Sequence, residues 1–179
     1  SETAQWRQAF RRTEGRAQGQ AALIQPFDAA QDLKDAPRTG GAQRPKDAAT
    51  LILTRGGDRP EVLMGRRAPG HVFMASKWVF PGGRIERADF TAAFAEDFAA
   101  DTARRLEAET PARRARALAL AAVRETYEET GLILGRKAPP ASVAGPWRDY
   151  RGEGALPDLS VLTYVARAVT PPGRTRRFD

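Results

Sequence analysis

The chain has 179 residues, 41% hydrophobic and 28% charged, an ordinary balance for one globular domain with a real core. It has no cysteine, which excludes disulfides, thiolate metal sites and a cysteine nucleophile, and no apolar run approaches the ~20 residues that span a bilayer. The formal net charge of +7 is carried mostly by arginine and favours anionic partners without choosing among them.

In chain order, residues 1–46 read as a polar arm or docking segment, with a short helix over 2–12 that puts Trp6 and Phe10 on one side. No N-terminal segment has the pattern of a signal peptide, so the expected compartment is the cytoplasm, with no membrane partner. A domain is expected over 47–179. Its first strands are 48–55 and 61–67, joined by the loop Gly56-Gly57-Asp58-Arg59-Pro60. Arg66 and Arg67, the substrate-binding candidates, end the second strand on opposite faces, so at most one of them naturally points into a cleft. The only histidine, His71, lies in the following loop and reads more simply as a packing or surface residue than as a catalyst. Trp78-Val79-Phe80 is a third strand, running into Pro81-Gly82-Gly83.

Residues 90–122 read as a helical excursion. Phe90, Phe94 and Phe98 recur every fourth residue and Leu106 continues the stripe, a pattern that marks a packing face. Thr110-Pro111 restarts the chain, with Thr110 as N-cap and Pro111 at the first helical position of a helix over 111–129. Gly131 supplies its stop. On that helix Leu120, Val123 and Tyr127 share a side opposite Glu125 and Glu129, so an apolar face can be buried while carboxylates face a cleft. Arg104, Arg105, Arg113, Arg114 and Arg116 flank the break at 110–111. They read either as a phosphate-capturing rim or as a solvated face or a contact with a second copy of the chain. A strand is expected to begin at Leu132-Ile133-Leu134, with a loop over 138–146 and a strand over 160–170. The segment 147–153 has no clear assignment. After Pro171-Pro172-Gly173 the chain ends on an arginine-rich tail, and the expectation is that Asp179 is not the natural terminus.

The chemistry is concentrated in Arg124-Glu125-Thr126-Tyr127-Glu128-Glu129-Thr130-Gly131-Leu132. Glu125, Glu128 and Glu129 stand at i, i+3 and i+4, one turn of one helix face. Three carboxylates so close repel one another unless a cation sits among them, and hard oxygen donors suit Mg²⁺ or Mn²⁺. The alternative is a solvated acidic helix end. Upstream, the Gly82-Gly83 turn lets the backbone approach a ligand, and Asp89 follows six residues after Gly83.

Together these pieces resemble the Nudix box of the Nudix hydrolases, Gly, five residues, Glu, seven residues, Arg-Glu-bulky-x-Glu-Glu-x-Gly-bulky. Gly83, Arg124, Glu125, Glu128, Glu129, Gly131 and Leu132 match. Asp89 stands where Glu is expected, and Thr126 replaces the bulky residue. Residues 90–123 separate Asp89 from Arg124 where the pattern has seven. The split resembles the subgroup that includes peroxisomal coenzyme A diphosphatases. The resemblance implies an α/β/α sandwich with a mixed sheet, with the helical insertion between the Gly-Gly loop and the catalytic helix. It implies hydrolysis of a diphosphate linkage in a nucleotide-type small molecule, with Mg²⁺ or Mn²⁺ held by Glu125, Glu128, Glu129 and the Gly83 carbonyl. Arg124 would orient Glu128, Glu128 or Glu125 would take the water proton, and Asp89 would brace the loop. Arg67 matches the arginine of the coenzyme A motif, whereas His71 and Val72 depart from it. Nucleotide sugars, dinucleotides and RNA 5′ ends are alternative substrates, although no aromatic-and-basic nucleic-acid module is recognisable. A silent binding module is a further alternative, against which the intact acidic cluster argues.

Overall fold

The computed structural model describes residues 46–66 and 78–168, and the fold below is that of one compact unit, Asp47–Ala166. The expectations for Trp6, Phe10, Arg67, His71 and the turn at Pro171 lie outside the described residues.

The helix expected over 111–129 runs from Ala112–Thr130; it is called α2 here. It begins one residue later than the capping pattern suggests. Pro111 is itself the N-cap, and its carbonyl accepts from the amides of Arg114 (2.8 Å) and Ala115 (3.0 Å). Gly131 ends the helix at φ 73°, a left-handed conformation that costs glycine little, and its N–H donates to Tyr127 O. Ala117, Leu120, Ala121 and Val123 of α2 are buried, and Arg124 and Thr126 are the polar residues buried with them. Leu120 and Val123 form the core with Trp147, Tyr150, Ala155 and Leu159. Tyr150 meets Tyr127 and Trp147 edge-on, at ring-centroid distances of 5.2 and 5.3 Å, the arrangement that ring quadrupoles favour.

Against α2 lie two elements that carry the upstream motif. Strand β1 (Ala48–Thr50) pairs antiparallel with β6 (Gly82–Arg84), in the register Ala49↔Gly83 and Thr50↔Gly82. A 3-10 turn, Arg87–Phe90, follows. Between them the chain forms two further antiparallel ladders, β2 (Thr54–Arg55) with β3 (Glu61–Val62), and β4 (Gly65–Arg66) with β5 (Trp78–Val79). The expected strands at 48–55 and 61–67 are thus each broken in two. The breaks remain hydrogen-bonded, Leu51 N–H to Pro81 O and Leu63 N–H to Leu53 O, both at 2.9 Å.

The insertion is only partly helical. Helix α1 is Ala100–Glu107, whereas residues 91–99 are extended or irregular. Phe94 and Phe98 pack on the core as expected, but from a different backbone. A spacing of four residues keeps one face in a strand as well as in a helix, so the stripe could not distinguish them. The extended form wins because it borrows partners. Ala95 N–H donates to Pro157 O (2.7 Å), Leu159 N–H donates to Glu96 O (3.0 Å), and Glu96 forms a parallel bridge with Asp158. Among the described residues this bridge is the parallel element; the ladders are antiparallel. The α/β class is as expected.

Two expected strands are corrected. The apolar run Leu132-Ile133-Leu134 is not a strand; it packs inward, and the polar segment β7 (Gly135–Lys137) pairs instead with β8 (Ala155–Pro157). Helix α3, Arg148–Gly152, fills the undecided segment between them. The strand expected over 160–170 is absent over its described part, which starts with a 3-10 turn at Leu159–Val161. Asp158 causes that turn: its Oδ1 accepts from Ser160 N–H (3.0 Å) and from Ser160 Oγ (2.6 Å), which closes the backbone locally. The segment then runs beside α1, where Thr102 Oγ1 donates to Leu162 O and Arg105 lies over the Tyr164 ring.

Candidate active site

Arg124 is the centre of the site. It is 1% exposed, and its guanidinium divides its donors between two tasks. Nε and Nη2 grip the two oxygens of Asp89, at 3.0 and 3.1 Å. Nη2 also donates to the carbonyl of Arg84 in β6 (3.0 Å). Nη1 is left to hold Glu125 Oε1 (3.0 Å) and both oxygens of Glu128 (3.2 and 3.3 Å). Burial works against the charged guanidinium, but the hydrogen bonds and charge of Asp89, followed by Glu125 and Glu128, outweigh it and raise its pKa above the ordinary arginine value. A planar fork can do this and a lysine ammonium cannot.

Asp89 is completely buried and saturated. Each oxygen has two donors: Oδ1 accepts from Arg124 Nε and, at 3.0 Å, from the indole Nε1 of Trp147, and Oδ2 accepts from Arg124 Nη2 and, at 2.8 Å, from the amide of Glu86. The Glu86–Asp89 pair forms a reciprocal capping box over the 3-10 turn. The carboxylate therefore ties the 3-10 turn to α2 and to Trp147 at once. Trp147 was not foreseen as part of the site. No periodicity or motif in its segment marks it; only its exclusion from solvent does.

The two glycines are required for different reasons. Gly82 has φ +149°, and a Cβ there would stand 2.3 Å from Ala49 O, so β1 and β6 could not pair as they do. At Gly83 a Cβ would stand 2.3 Å from the Glu125 carboxyl carbon and 2.5 Å from each of its oxygens. The Glu125 carboxylate thus lies flat on the Gly83 α-carbon. Burial raises the Glu125 pKa; Arg124 opposes the shift, and the charges of Glu128 and Glu86 add to it. Thr126, which stands where a bulky residue is expected, is fully buried with its hydroxyl satisfied by Ala122 O (2.7 Å).

The structure therefore brings together Gly83, Asp89, Arg124, Glu125 and Glu128. Glu129 is exposed one residue beyond, on the same end of α2. Arg66 has its backbone in β4, and Arg67 lies outside the described residues. The five arginines flanking the break are each engaged: Arg104 with Asp101, Arg105 with Tyr164, Arg113 over the Phe90 ring, Arg114 with Asp47 and Arg116 with Asp97. A shallow groove of about 680 Å³ lined by Tyr127, Ser142, Arg148, Asp149 and Glu153 contains none of the acidic-face residues.

The donor set fits a hard divalent cation. The carboxylate oxygens of Glu125 and Glu128 are hard donors of the kind such an ion takes. Among the described residues no three Asp, Glu or His side chains converge into a ready-made cage.

Comparison with known proteins gives the family. Residues 44–177 match the family model described as NUDIX domain. The fold is similar to the crystal structure of a NUDIX hydrolase from Alicyclobacillus acidocaldarius, at 30% identity and a TM-score of 0.58, over 76% of this chain and 67% of that one. A search of curated proteins gives no match.

Proposed function

Because the chain belongs to the NUDIX family and is a Nudix pyrophosphohydrolase, we propose that it hydrolyses the diphosphate linkage of a small nucleoside-diphosphate derivative at the site built on Arg124, with Mg²⁺ or Mn²⁺ held by Glu125, Glu128, Glu129 and the Gly83 carbonyl. The observation that carries the reading is the Glu125 carboxylate, seated on Gly83 and shared with Glu128 on one guanidinium nitrogen.

Phosphoanhydrides are protected by their own negative charge, which repels a nucleophile. A divalent cation bound here would neutralise phosphate oxygens and make water more acidic. The chain's own residues supply the rest. Arg124 holds Glu125 and Glu128 in fixed positions by charge-assisted bonds. Glu128, whose side chain is 41% exposed, is open to the solvent from which the attacking water comes; either it or Glu125 accepts the water proton as the water oxygen bonds to phosphorus and the bond from that phosphorus to the bridging oxygen breaks, the bridging oxygen leaving on the departing phosphate. Asp89 keeps Arg124 from turning away.

Coenzyme A and its acyl derivatives are the members of this substrate class we place first. The split box resembles the interrupted-box subgroup, and Arg67 matches one residue of its substrate motif. The test is to incubate the protein with Mg²⁺ or Mn²⁺ and a panel of coenzyme A, dinucleotides, nucleotide sugars and capped RNA, and to identify products by mass. Glu125→Gln and Glu129→Gln should each remove most of the hydrolysis while the protein stays folded. Wild-type turnover in both variants at saturating substrate would overturn the assignment.

A further inference from the structure

We propose that Trp147 is a positioning residue for this reaction: its indole N–H fixes the Asp89 carboxylate, and through it the direction in which Arg124 presents Nη1 to Glu125 and Glu128. The inference rests on the site described above and extends it to a residue 58 positions from Asp89 and outside the box.

The argument follows the hydrogen bonds. The placement of Glu125 and Glu128 depends on Nη1, since both carboxylates meet there. Nη1 is one corner of a rigid plane, and the opposite edge of that plane, Nε with Nη2, is held by Asp89. The orientation of Asp89 is in turn set by its two remaining donors, the amide of Glu86 and the indole of Trp147. The Glu86 amide belongs to the same short turn as Asp89 and moves with it. Trp147 does not. It is 4% exposed, is packed edge-on to Tyr150, and belongs to the core formed with Leu120 and Val123 of α2. It therefore references Asp89 to the helix that carries the glutamates.

The short side chain makes this coupling matter. Asp has one fewer rotatable bond than Glu, so a fixed carboxylate here means a fixed 3-10 turn. The residues between Asp89 and Arg124 make a long excursion, so chain continuity does little to hold the two halves of the box in register. Trp147 supplies that register from a third segment. Outer partners of this kind commonly change ion affinity by roughly 10–100-fold when removed.

The experiment measures Mn²⁺ binding in the absence of substrate, by the loss of the free-ion EPR signal, and turnover separately. Trp147→Phe keeps an aromatic ring and deletes the N–H; it should weaken Mn²⁺ binding by about tenfold and lower kcat, with KM at saturating cation little changed. Tyr150→Phe is the control. It deletes a hydrogen bond of the same core, from Tyr150 OH to Leu134 O (2.7 Å), without touching Asp89, and should lower Tm while leaving Mn²⁺ affinity as in the wild type. Equal Mn²⁺ affinity in Trp147→Phe and wild type, or equal losses in both variants, would overturn the proposal. Glu125→Gln separates the two levels: if it binds Mn²⁺ like the wild type, the underlying site is wrong, whereas if it loses the ion and Trp147→Phe does not, only the role of Trp147 fails. Should Trp147→Phe not fold, the wild-type indole resonance decides. The chain has three tryptophans, and Trp6→Phe and Trp78→Phe assign the other two. The Trp147 N–H should exchange slowly and shift as Mg²⁺ is added; an unprotected resonance, or one that Mg²⁺ does not move, would count against the proposal.

Discussion

The carboxylate of Glu125 rests directly on the α-carbon of Gly83, closer than any Cβ would allow. Two parts of the chain that are far apart in sequence, a strand and a helix face, thereby meet in direct contact.

Gly83→Ala should act on this contact alone. The obstructing atoms belong to the end of a side chain that can turn outward, so the fold should survive with a stability loss of about 1 kcal/mol or less. Turnover should fall by tenfold or more, because Glu125 leaves its place on Arg124. Gly82→Ala should show the opposite balance. Its new Cβ meets the backbone of β1, and its φ of +149° is strained for alanine, so a loss of roughly 1–3 kcal/mol is expected. Urea unfolding and steady-state turnover of the two variants separate these outcomes.

Asp89→Glu, which makes the box conform to the family pattern, should damage this protein. Asp89 is fully buried with four donors already placed, so an added methylene overpacks the site at a cost of about 1–3 kcal/mol. Arg124→Lys should be worse, about 3 kcal/mol or more, because it leaves Asp89 buried without its fork. Chemical denaturation measures both; an Asp89→Glu protein as stable and active as wild type would refute the brace.

The arginines at 113, 114 and 116 are expected to contribute to stability rather than to substrate affinity. Each has a partner within the chain, Phe90, Asp47 and Asp97 respectively, and the two ion pairs are partly exposed and worth about 0–1 kcal/mol each. Replacing all three by Gln should lower Tm by a few degrees and leave KM within about twofold. A large rise in KM at constant kcat would show that they face the substrate, and a change in oligomer size that they face another subunit.

The Asp97–Arg116 pair predicts a pH dependence. The hydrogen bond from Arg116 lowers the Asp97 pKa, burial opposes the shift, and the Phe98 amide adds to it. A carboxyl whose folded value lies below its unfolded value of 3.8 stabilises the fold above that value. The contribution disappears as pH falls through the folded value. Asp97→Asn should therefore be less stable than wild type at pH 7, by well under about 1 kcal/mol because both groups are partly exposed. The difference should shrink as pH falls below 3.8 and Asp97 becomes protonated in the folded state as well. Urea titrations at pH 7 and at successively more acid pH test the sign.

The helix that carries the glutamates was readable from the sequence almost to the residue, because what makes it is local: an apolar stripe at helical period, a proline at its start and a glycine stop. Its opposed faces, Leu120 and Val123 against Glu125, follow from the geometry of one helix. The placement of Glu125 and Glu128 on one helix end was legible for the same reason, whereas Gly82 and Gly83, read as a turn, lie in β6 because β1 pairs with them. Pairing was not. The polar segment Gly135–Lys137 is a strand because Ala155–Pro157 lies beside it, and the apolar run before it is not one because it has a core to enter. Phe94 and Phe98 satisfied a helix and a strand equally, and the edge of β8 chose. Only the tertiary structure could decide that Trp147 belongs to the site, because a hydrogen bond across 58 residues depends on how α2, the 3-10 turn and the core pack together, and nothing in the residues around Trp147 encodes that packing.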